Sequence, residues 1–260
     1  MGAGPMRADQ WLVAQGRASS RSQAQRLIAA GVQWRVGGGP WQRVVKNGDV
    51  LPAGAEVLLL DAAESRYVSR GGLKLEGALQ HCGLTVRNMR CLDVGQSTGG
   101  FTDCLLQQGA AQVVGLDVGH GQLHPRLRED ARVVCLEQVN ARDLQPQDPR
   151  MPDPAQGFDC IVADLSFISQ TLVWPAVLPW LRPQGMLLSL VKPQFELQPV
   201  DIGKGGLVKD PASYERVEAR LRHACASWGL QVQDYWESVI TGGDGNREFW
   251  IQARRVQPEE

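Results

Sequence analysis

The sequence has no long uncharged apolar run. Its most apolar stretch, residues 165–181, contains several hydroxyl and amide side chains and is interrupted by Pro175 and Pro179, so it is too polar and too broken to span a bilayer. The first ten residues hold no apolar core of the kind found in a signal peptide. We therefore expect a cytoplasmic protein with no membrane partner.

Closely spaced metal ligands are also lacking. None of the six cysteines forms a C-x-x-C pair, and the four histidines do not cluster. This spacing favours buried thiols in a reducing compartment and argues against a metal site. An apolar content of 43% excludes intrinsic disorder, and 260 residues can bury a core without disulfides.

Positive charge is unevenly distributed along the chain. Residues 7–46 carry seven basic side chains against one acid, Asp9, which indicates a polyanionic partner for the N-terminus. The helical patterns at 9–15 and 21–30 and the short strand patterns at 32–36, 41–45 and 56–60 predict a small α+β unit. Its candidate RNA-binding residues are Arg17, Arg21, Arg26, Arg35 and Arg43; the alternative is a charged, solvated helix.

The pattern changes after a linker-like segment at residues 61–65. Short apolar strand patterns then alternate with helical ones, and this alternation predicts a doubly wound α/β domain with a terminal hairpin. The strand patterns lie at 91–94, 113–118, 132–136, 158–163, 186–191, 231–240 and 248–254, and the helical ones at 101–108, 122–129, 168–181 and 211–228. We predict two domains, residues 1–62 and residues 63–260.

A glycine-rich turn, LDVGQSTGGFTD at residues 92–103, follows the first of these strands. Such a turn lies at the carboxyl end of a parallel strand, where α/β sheets bind ligands. Asp117 ends the next strand and could accept hydrogen bonds from a ribose diol. This pattern indicates a nucleoside ligand and is shared by dehydrogenases and methyltransferases; the alternative is a tight turn with Asp117 as a helix cap.

Lysine is scarce, since only five of the 27 basic residues are lysines. An ammonium can lose its proton in a suitable environment, whereas a guanidinium cannot. In a chain that otherwise uses arginine, each lysine is therefore a candidate for proton transfer. Lys192 and Asp164 each end a predicted strand beside the glycine-rich turn. The alternative is a lysine that is merely solvated at the rim of the sheet.

Seven ordered motifs together resemble the TlyA family and, less closely, the FtsJ-like ribose methyltransferases. They are SRGGLKL (69–75), LDVGQSTGGFTD, GLDVGHGQL (115–123), VADLSF (162–167), LVKPQFE (190–196), GKGGLVKD (203–210) and GNREFW (245–250). The resemblance implies an alpha-L (S-four-type) RNA-binding domain followed by a Rossmann-like class I methyltransferase domain. It also implies S-adenosylmethionine as cofactor and 2′-O-methylation of ribosomal RNA, with a cytidine as the expected target and ribosomal RNA or a ribosomal subunit as partner.

The resemblance also implies roles for individual residues. The family's catalytic tetrad falls on Lys74, Asp164, Lys192 and Glu248, with Lys192 as general base. The expected cofactor-binding residues are Asp93, Gly95, Ser97, Thr98, Gly99, Gly100, Phe101, Asp117, Asn140 and Asp164. Two features depart from the family: Gln96 replaces a small residue of the loop, and WRVGGGPW (34–41) replaces an Asn-Gly turn.

Two other functions are compatible with parts of the sequence. A small-molecule O-methyltransferase would keep the fold and the cofactor but would not need the basic N-terminal unit. A non-catalytic RNA-binding or haemolysin-type protein would not need the tetrad. Titration with labelled cofactor and ribosomal RNA discriminates among the three.

Overall fold

A computed structural model describes residues 4–59, 66–145, 148–151, 156–240 and 245–256. The chain forms two compact units, residues 1–73 and residues 74–260. The linker expected at residues 61–65, and with it the expected domain boundary, lies outside the described residues.

The described residues of the first unit include a helix pair and two small antiparallel sheets. Its elements are β1 (Met6–Arg7), α1 (Ala8–Ala14), α2 (Arg21–Gly31), β2 (Val32–Arg35), β3 (Gln42–Arg43), β4 (Val50–Leu51) and β5 (Glu56–Leu59). Strand β1 pairs with β4, and the other sheet has the order β3-β2-β5. The predicted helix pair is confirmed, whereas the strand expected at 41–45 is shorter.

Local chemistry explains where helix α2 begins. The Ser20 side chain caps it by accepting a hydrogen bond from the Gln23 backbone N–H at 3.2 Å, as the sequence predicts. The helix buries Leu27 and Ile28 against Leu12 and Val32 in a small shared core. This burial is the main support for a helix of only eleven residues.

The second unit is a seven-stranded sheet with helices, and one of these helices begins before the unit boundary. The helices are α3 (Arg70–Cys82), α4 (Gly100–Gln107), α5 (Pro125–Arg128), α6 (Gln170–Val177), α7 (Pro193–Glu196) and α8 (Ala212–Ser227). The strands are β6 (Arg90–Val94), β7 (Gln112–Leu116), β8 (Val133–Leu136), β9 (Phe158–Asp164), β10 (Leu181–Val191), β11 (Leu230–Glu237) and β12 (Phe249–Arg255).

The strand order in this sheet is β11-β12-β10-β9-β6-β7-β8. The five strands from β10 to β8 are parallel, and β12 and β11 are antiparallel to their neighbours. The chain runs outward from β6 through β7 to β8 and then returns to β9 on the other side of β6. This reversal is a topological switch point, where doubly wound sheets bind ligands. The predicted Rossmann-like sheet with a terminal hairpin is confirmed.

Some boundaries differ from those predicted. The helix expected at 168–181 ends at Val177 and is followed by a 3-10 turn, Leu178–Trp180, before β10 begins at Leu181. Buried Trp174 and Trp180 belong to the large core under the sheet. The continuous apolar pattern could not separate helix from strand here, because a short apolar run is compatible with either element.

Neither a membrane-spanning helix nor a metal-ligand cluster occurs in the described part of the chain. No helix among these residues is long and apolar enough to cross a membrane. In the same residues, no group of three or more His, Cys, Asp and Glu side chains has the arrangement of a metal site.

Candidate functional site

The glycine-rich loop after β6 lies so close to its neighbours that two of its positions have no room for a side chain. Gly95 has a φ of +87°, and a Cβ there would lie 2.5 Å from the backbone carbonyl oxygen of Asp164. Gly99 has a φ of +95°, and its Cβ would lie 2.4 Å from Leu127 Cδ1. Both positions therefore need glycine for conformation and for space.

Asp117, which follows β7, binds this loop. Its Oδ2 accepts a hydrogen bond from the Ser97 backbone N–H at 2.7 Å, and its Oδ1 accepts one from the Gly119 N–H at 2.6 Å. The carboxylate is thus fixed at the carboxyl edge of the sheet beside the loop. Asn140 is fixed as well, since its Oδ1 accepts from the Arg142 N–H at 3.2 Å and its Nδ2 donates to Asp143 at 2.7 Å.

A cavity of about 380 Å³ opens between these groups. Five of the predicted cofactor-binding residues line it: Gly95, Ser97, Asp117, Asn140 and Asp164. The remaining wall is mainly apolar and is formed by Val94, Leu116, Val118, Gln122, Val139, Ala141, Leu165, Ser166, Phe167, Ile168 and Val173.

The chemistry of this lining selects among nucleoside ligands. Two carboxylates, Asp117 and Asp164, line the cavity, and the lining residues include no Lys or Arg. A dinucleotide would bring a pyrophosphate that needs cations or a free helix N-terminus, whereas a sulfonium nucleoside carries positive charge. The residues present fit S-adenosylmethionine, because the cavity offers carboxylates to its positive charge and an apolar wall to its base.

The other predicted cofactor-binding residues lie outside the cavity lining: Asp93, Thr98, Gly99, Gly100 and Phe101. Asp93 is fully buried behind the loop, where Thr102 Oγ1 donates a hydrogen bond to its Oδ2 at 2.7 Å. Burial raises the pKa of Asp93 to about 7. The Phe101 ring stacks on Trp250, with ring centroids 5.7 Å apart.

Gln96, which departs from the family pattern, occupies a space provided by a glycine. Its side chain is buried, and its Nε2 donates to Thr102 Oγ1 at 2.9 Å. A Cβ on Gly115 of β7 would lie 2.0 Å from the Gln96 Cδ. The larger loop residue is therefore accommodated by the missing side chain at Gly115, and it extends the chain of hydrogen bonds that ends at Asp93.

The four residues of the predicted tetrad form two ion pairs. Lys192 Nζ lies 2.6 Å from Asp164 Oδ1, and Lys74 Nζ donates to Glu248 Oε2 in a short contact. Glu248 directly precedes β12 and Lys192 directly follows β10, and these strands pair antiparallel up to Val191 and Phe249. Burial raises the pKa of Glu248, and Lys74 and Lys192 oppose that shift.

Sequence reasoning missed Ser166 and Phe167 as site residues, although both stand in the VADLSF motif. Lys192 Nζ donates a hydrogen bond to Ser166 Oγ at 2.9 Å. Phe167 lines the cavity, has a φ of +65° and is 90% exposed. The sequence did offer a signal for them, because both residues follow Asp164 closely, at the carboxyl end of strand β9.

The five arginines predicted to bind RNA have different surroundings. Arg21 pairs with buried Asp9 at 3.0 Å, and Arg35 pairs with Glu56 at 2.7 Å while lying over the Trp41 ring. Arg26 is partly buried. Arg17 and Arg43 are exposed, and neither has an acidic partner among the described residues.

Comparison with known proteins covers both parts of the chain. A family model described as FtsJ-like methyltransferase matches residues 67–255, and one described as S4 domain matches residues 6–31. The chain is 41% identical to the 16S/23S rRNA (cytidine-2′-O)-methyltransferase TlyA of Mycobacterium tuberculosis, over 95% of this chain and 89% of the relative.

Two relatives have another name. Hemolysin A of Brachyspira hyodysenteriae is 38% identical, over 94% of this chain and 98% of the relative. The solved structure of a Streptococcus thermophilus protein described as a hemolysin matches with a TM-score of 0.72 and 36% identity, over 98% of this chain and 90% of that one.

The geometry at Asp117 predicts the effect of Asp117→Ala on cofactor binding. Removing the acceptor should weaken S-adenosylmethionine binding by about 1 to 3 kcal/mol, because the ribose hydroxyls would lose their partner after desolvation. Calorimetric titration measures the change, and Asp234→Ala, on strand β11, is the control. Unchanged affinity in Asp117→Ala would place the cofactor elsewhere.

The contact between Gln96 and Gly115 predicts a dependence between the two positions. Gly115→Ala should lower the free energy of unfolding by about 1 to 3 kcal/mol, since the added methyl overlaps the Gln96 side chain. The additional change Gln96→Ala should restore part of that loss. Urea unfolding measures both, with Gly77→Ala as a glycine replacement that meets only an ordinary contact at 3.5 Å. Strictly additive losses would contradict the contact.

Proposed function

The chain belongs to the TlyA family of FtsJ-like methyltransferases, as its motifs predict, and from this membership we propose that it methylates the ribose 2′-hydroxyl of ribosomal RNA with S-adenosylmethionine. The observation that carries the proposal is the Lys192–Asp164 pair at the edge of a cavity suited to a cationic nucleoside. We propose a cytidine as target, ribosomal RNA or a ribosomal subunit as partner, and the cytoplasm as location.

We propose that RNA binding and methyl transfer belong to different domains. The N-terminal domain, proposed to span residues 1–62, holds the RNA through its arginines, and the domain at residues 63–260 carries the transfer. The match of the S4 domain model to residues 6–31 supports this division, because those residues include helices α1 and α2. A basic surface binds the phosphate backbone irrespective of sequence.

Cofactor binding is assigned to the residues around the cavity. Asp117 accepts hydrogen bonds from the ribose hydroxyls, and Asn140 lies near the adenine. Gly95 lets the loop backbone approach the ligand closely. The bound cofactor supplies an electrophilic methyl group on a sulfonium. Asp164, at the same cavity and in contact with Lys192, links this site to the proton-transfer group.

Methyl transfer would form a bond from the ribose oxygen to the methyl carbon and break the bond from that carbon to sulfur, which would leave as a neutral thioether. The hydroxyl must therefore lose its proton. We assign Lys192 to accept that proton at Nζ as general base, and Asp164 to orient the amine and to stabilise the ammonium that forms. The proton then passes to solvent. Lys74 and Glu248 hold the target ribose and balance the charge of the other pair. Correct placement of the reacting groups can supply about 7 to 11 kcal/mol of the acceleration.

This assignment predicts that Lys192→Ala lowers the rate of methyl transfer by about 10²- to 10⁴-fold, because the proton acceptor is lost. Cofactor affinity should stay within a few-fold, since Lys192 does not line the cavity. The assay is transfer of labelled methyl to ribosomal RNA, with mass mapping of the modified ribose.

Lys209→Ala is the matched control, because Lys209 Nζ donates only to the Val200 carbonyl among its described contacts. Full turnover by Lys192→Ala would remove this residue from the mechanism. Failure of the unaltered protein to label ribosomal RNA would overturn the proposed substrate.

The N-terminal arginines give a second prediction. Replacing both Arg17 and Arg43 by Ala should weaken RNA binding and lower the slope of log affinity against log salt by about one per lost phosphate contact. RNA affinity across a salt series measures the slope, and Arg222→Ala on helix α8 is the control. Equal slopes for the double variant and the unaltered protein would show that these two side chains are only solvated.

A further inference from the structure

Glu196 is a buried carboxylate that the proposed reaction does not use. It ends helix α7, four residues after Lys192, and is only 3% exposed. A carboxylate taken out of water costs free energy unless hydrogen bonds and opposite charge compensate for it. Its partners therefore show what it holds together.

The partners of the carboxylate come from the segment that follows Asp164. Ser169 Oγ donates a hydrogen bond to Glu196 Oε2 at 2.6 Å, and the Gln170 backbone N–H donates to Oε1 at 2.7 Å. Ser169 is the N-cap of helix α6. Both carboxylate oxygens are thus engaged at the beginning of a helix whose preceding loop starts at Asp164.

Arg220, on helix α8, closes the same cluster. Its NH1 donates to the Glu196 backbone carbonyl at 2.5 Å, and its NH2 donates to Ser169 Oγ at 2.9 Å and to Thr171 Oγ1 at 3.0 Å. The NH2 also lies 3.6 Å from Glu196 Oε2. One guanidinium therefore touches both segments that the carboxylate joins, an arrangement that its fork of donors allows.

A second connection comes from the side chain of Gln170. Its Nε2 donates to the Leu190 carbonyl of β10 at 2.7 Å, and Ser189 Oγ donates to its Oε1 in a short contact. Gln170 and Ser189 are both buried. The start of α6 is consequently bound on one side to the end of β10 and on the other to Glu196.

The loop between Asp164 and Ser169 and the turn after β10 each carry half of the Lys192 site. Lys192 contacts Asp164 at 2.6 Å and Ser166 at 2.9 Å. We propose that Glu196 is a positioning residue that, with Arg220, fixes these two segments against each other and so holds the Lys192 amine in place. This inference rests on the proposed function, because it assumes that Lys192 takes part in transfer.

The environment of Glu196 agrees with such a role. Burial raises the pKa of this carboxyl, while the hydrogen bonds from Ser169 and Gln170 and the charge of Arg220 oppose the shift. Two well-placed donors and a guanidinium specify a single geometry, whereas an apolar side chain of similar size would pack without specifying one.

The test is Glu196→Gln in the full chain. The amide has the same shape but no charge, so the ion pair with Arg220 is lost. Its NH2 group can only donate, so the hydrogen bond with the Ser169 hydroxyl must reverse. We expect kcat for methyl transfer to fall by about 10- to 100-fold, the scale of a displacement near 1 Å. Cofactor affinity should fall by a smaller factor than kcat, because Gly95, Asp117 and Asn140 lie on other segments and only the loop after Asp164 is shared by the cavity and the Lys192 site.

The matched control is Glu218→Gln on helix α8, which removes an exposed carboxylate that pairs with Arg222. It should leave kcat unchanged. If Glu196→Gln fails to fold, as thermal unfolding would show, Arg220→Lys takes its place. A lysine there keeps the charge but cannot span Ser169, Thr171 and the Glu196 carbonyl, so kcat should fall in the same direction by a smaller factor.

A double-mutant cycle distinguishes positioning from general destabilisation. If Glu196 acts by holding Ser166 against Lys192, the loss caused by Glu196→Gln should shrink in a Ser166→Ala background. Additive losses, or a kcat for Glu196→Gln equal to that of the unaltered protein, would overturn the positioning role while the proposed function stood. Absence of transfer by the unaltered protein would overturn both.

Discussion

The close approach of the β6 loop to the end of β9 is the constraint on which the site depends. At Gly95 the loop backbone comes so near the Asp164 carbonyl that no side chain fits between them. This contact occurs at the switch point of the sheet, where two neighbouring strands are followed by connections that run in opposite directions. It brings the cavity wall formed by the loop next to the segment that carries Asp164 and Ser166. The backbone contact at Gly95 therefore places the cavity next to the Lys192–Asp164 pair.

The antiparallel hairpin at the end of the chain completes the charge balance. Strand β12 lies between β10 and β11, so Glu248 arrives at the same sheet edge as Lys192. Glu248 then meets Lys74 of helix α3, 174 residues away in sequence. Two buried or half-buried ammonium groups at one edge would repel each other strongly without carboxylates of their own. The hairpin thus has an electrostatic role as well as a role in covering the sheet.

Sequence patterns identified the strands, the glycine-rich loop and the residues at strand ends, because those features depend on local periodicity and on the rule that parallel strands end at one edge. They did not identify the direction of individual side chains. Asp93 stands in the loop motif yet faces the Thr102 hydroxyl in the interior. Glu196 stands in the LVKPQFE motif, but its partners are 26 and 27 residues away in sequence. Such contacts depend on how helices pack over the sheet, which periodicity does not encode.

The number of basic residues in the sequence likewise overstates how many arginines of the N-terminal unit are available to bind a phosphate. Asp9 is fully buried under Arg7 and Arg21, and the hydrogen bond from Arg7 holds its pKa well below the usual range. If Arg21 left Asp9 for a phosphate, it would give up part of the compensation of a buried carboxylate, which is costly. Arg35 pairs with a half-exposed Glu56, and an exposed pair of this kind contributes only about 0 to 1 kcal/mol. Arg35 can therefore exchange its carboxylate for a phosphate at little cost, whereas Arg21 is primarily part of the fold.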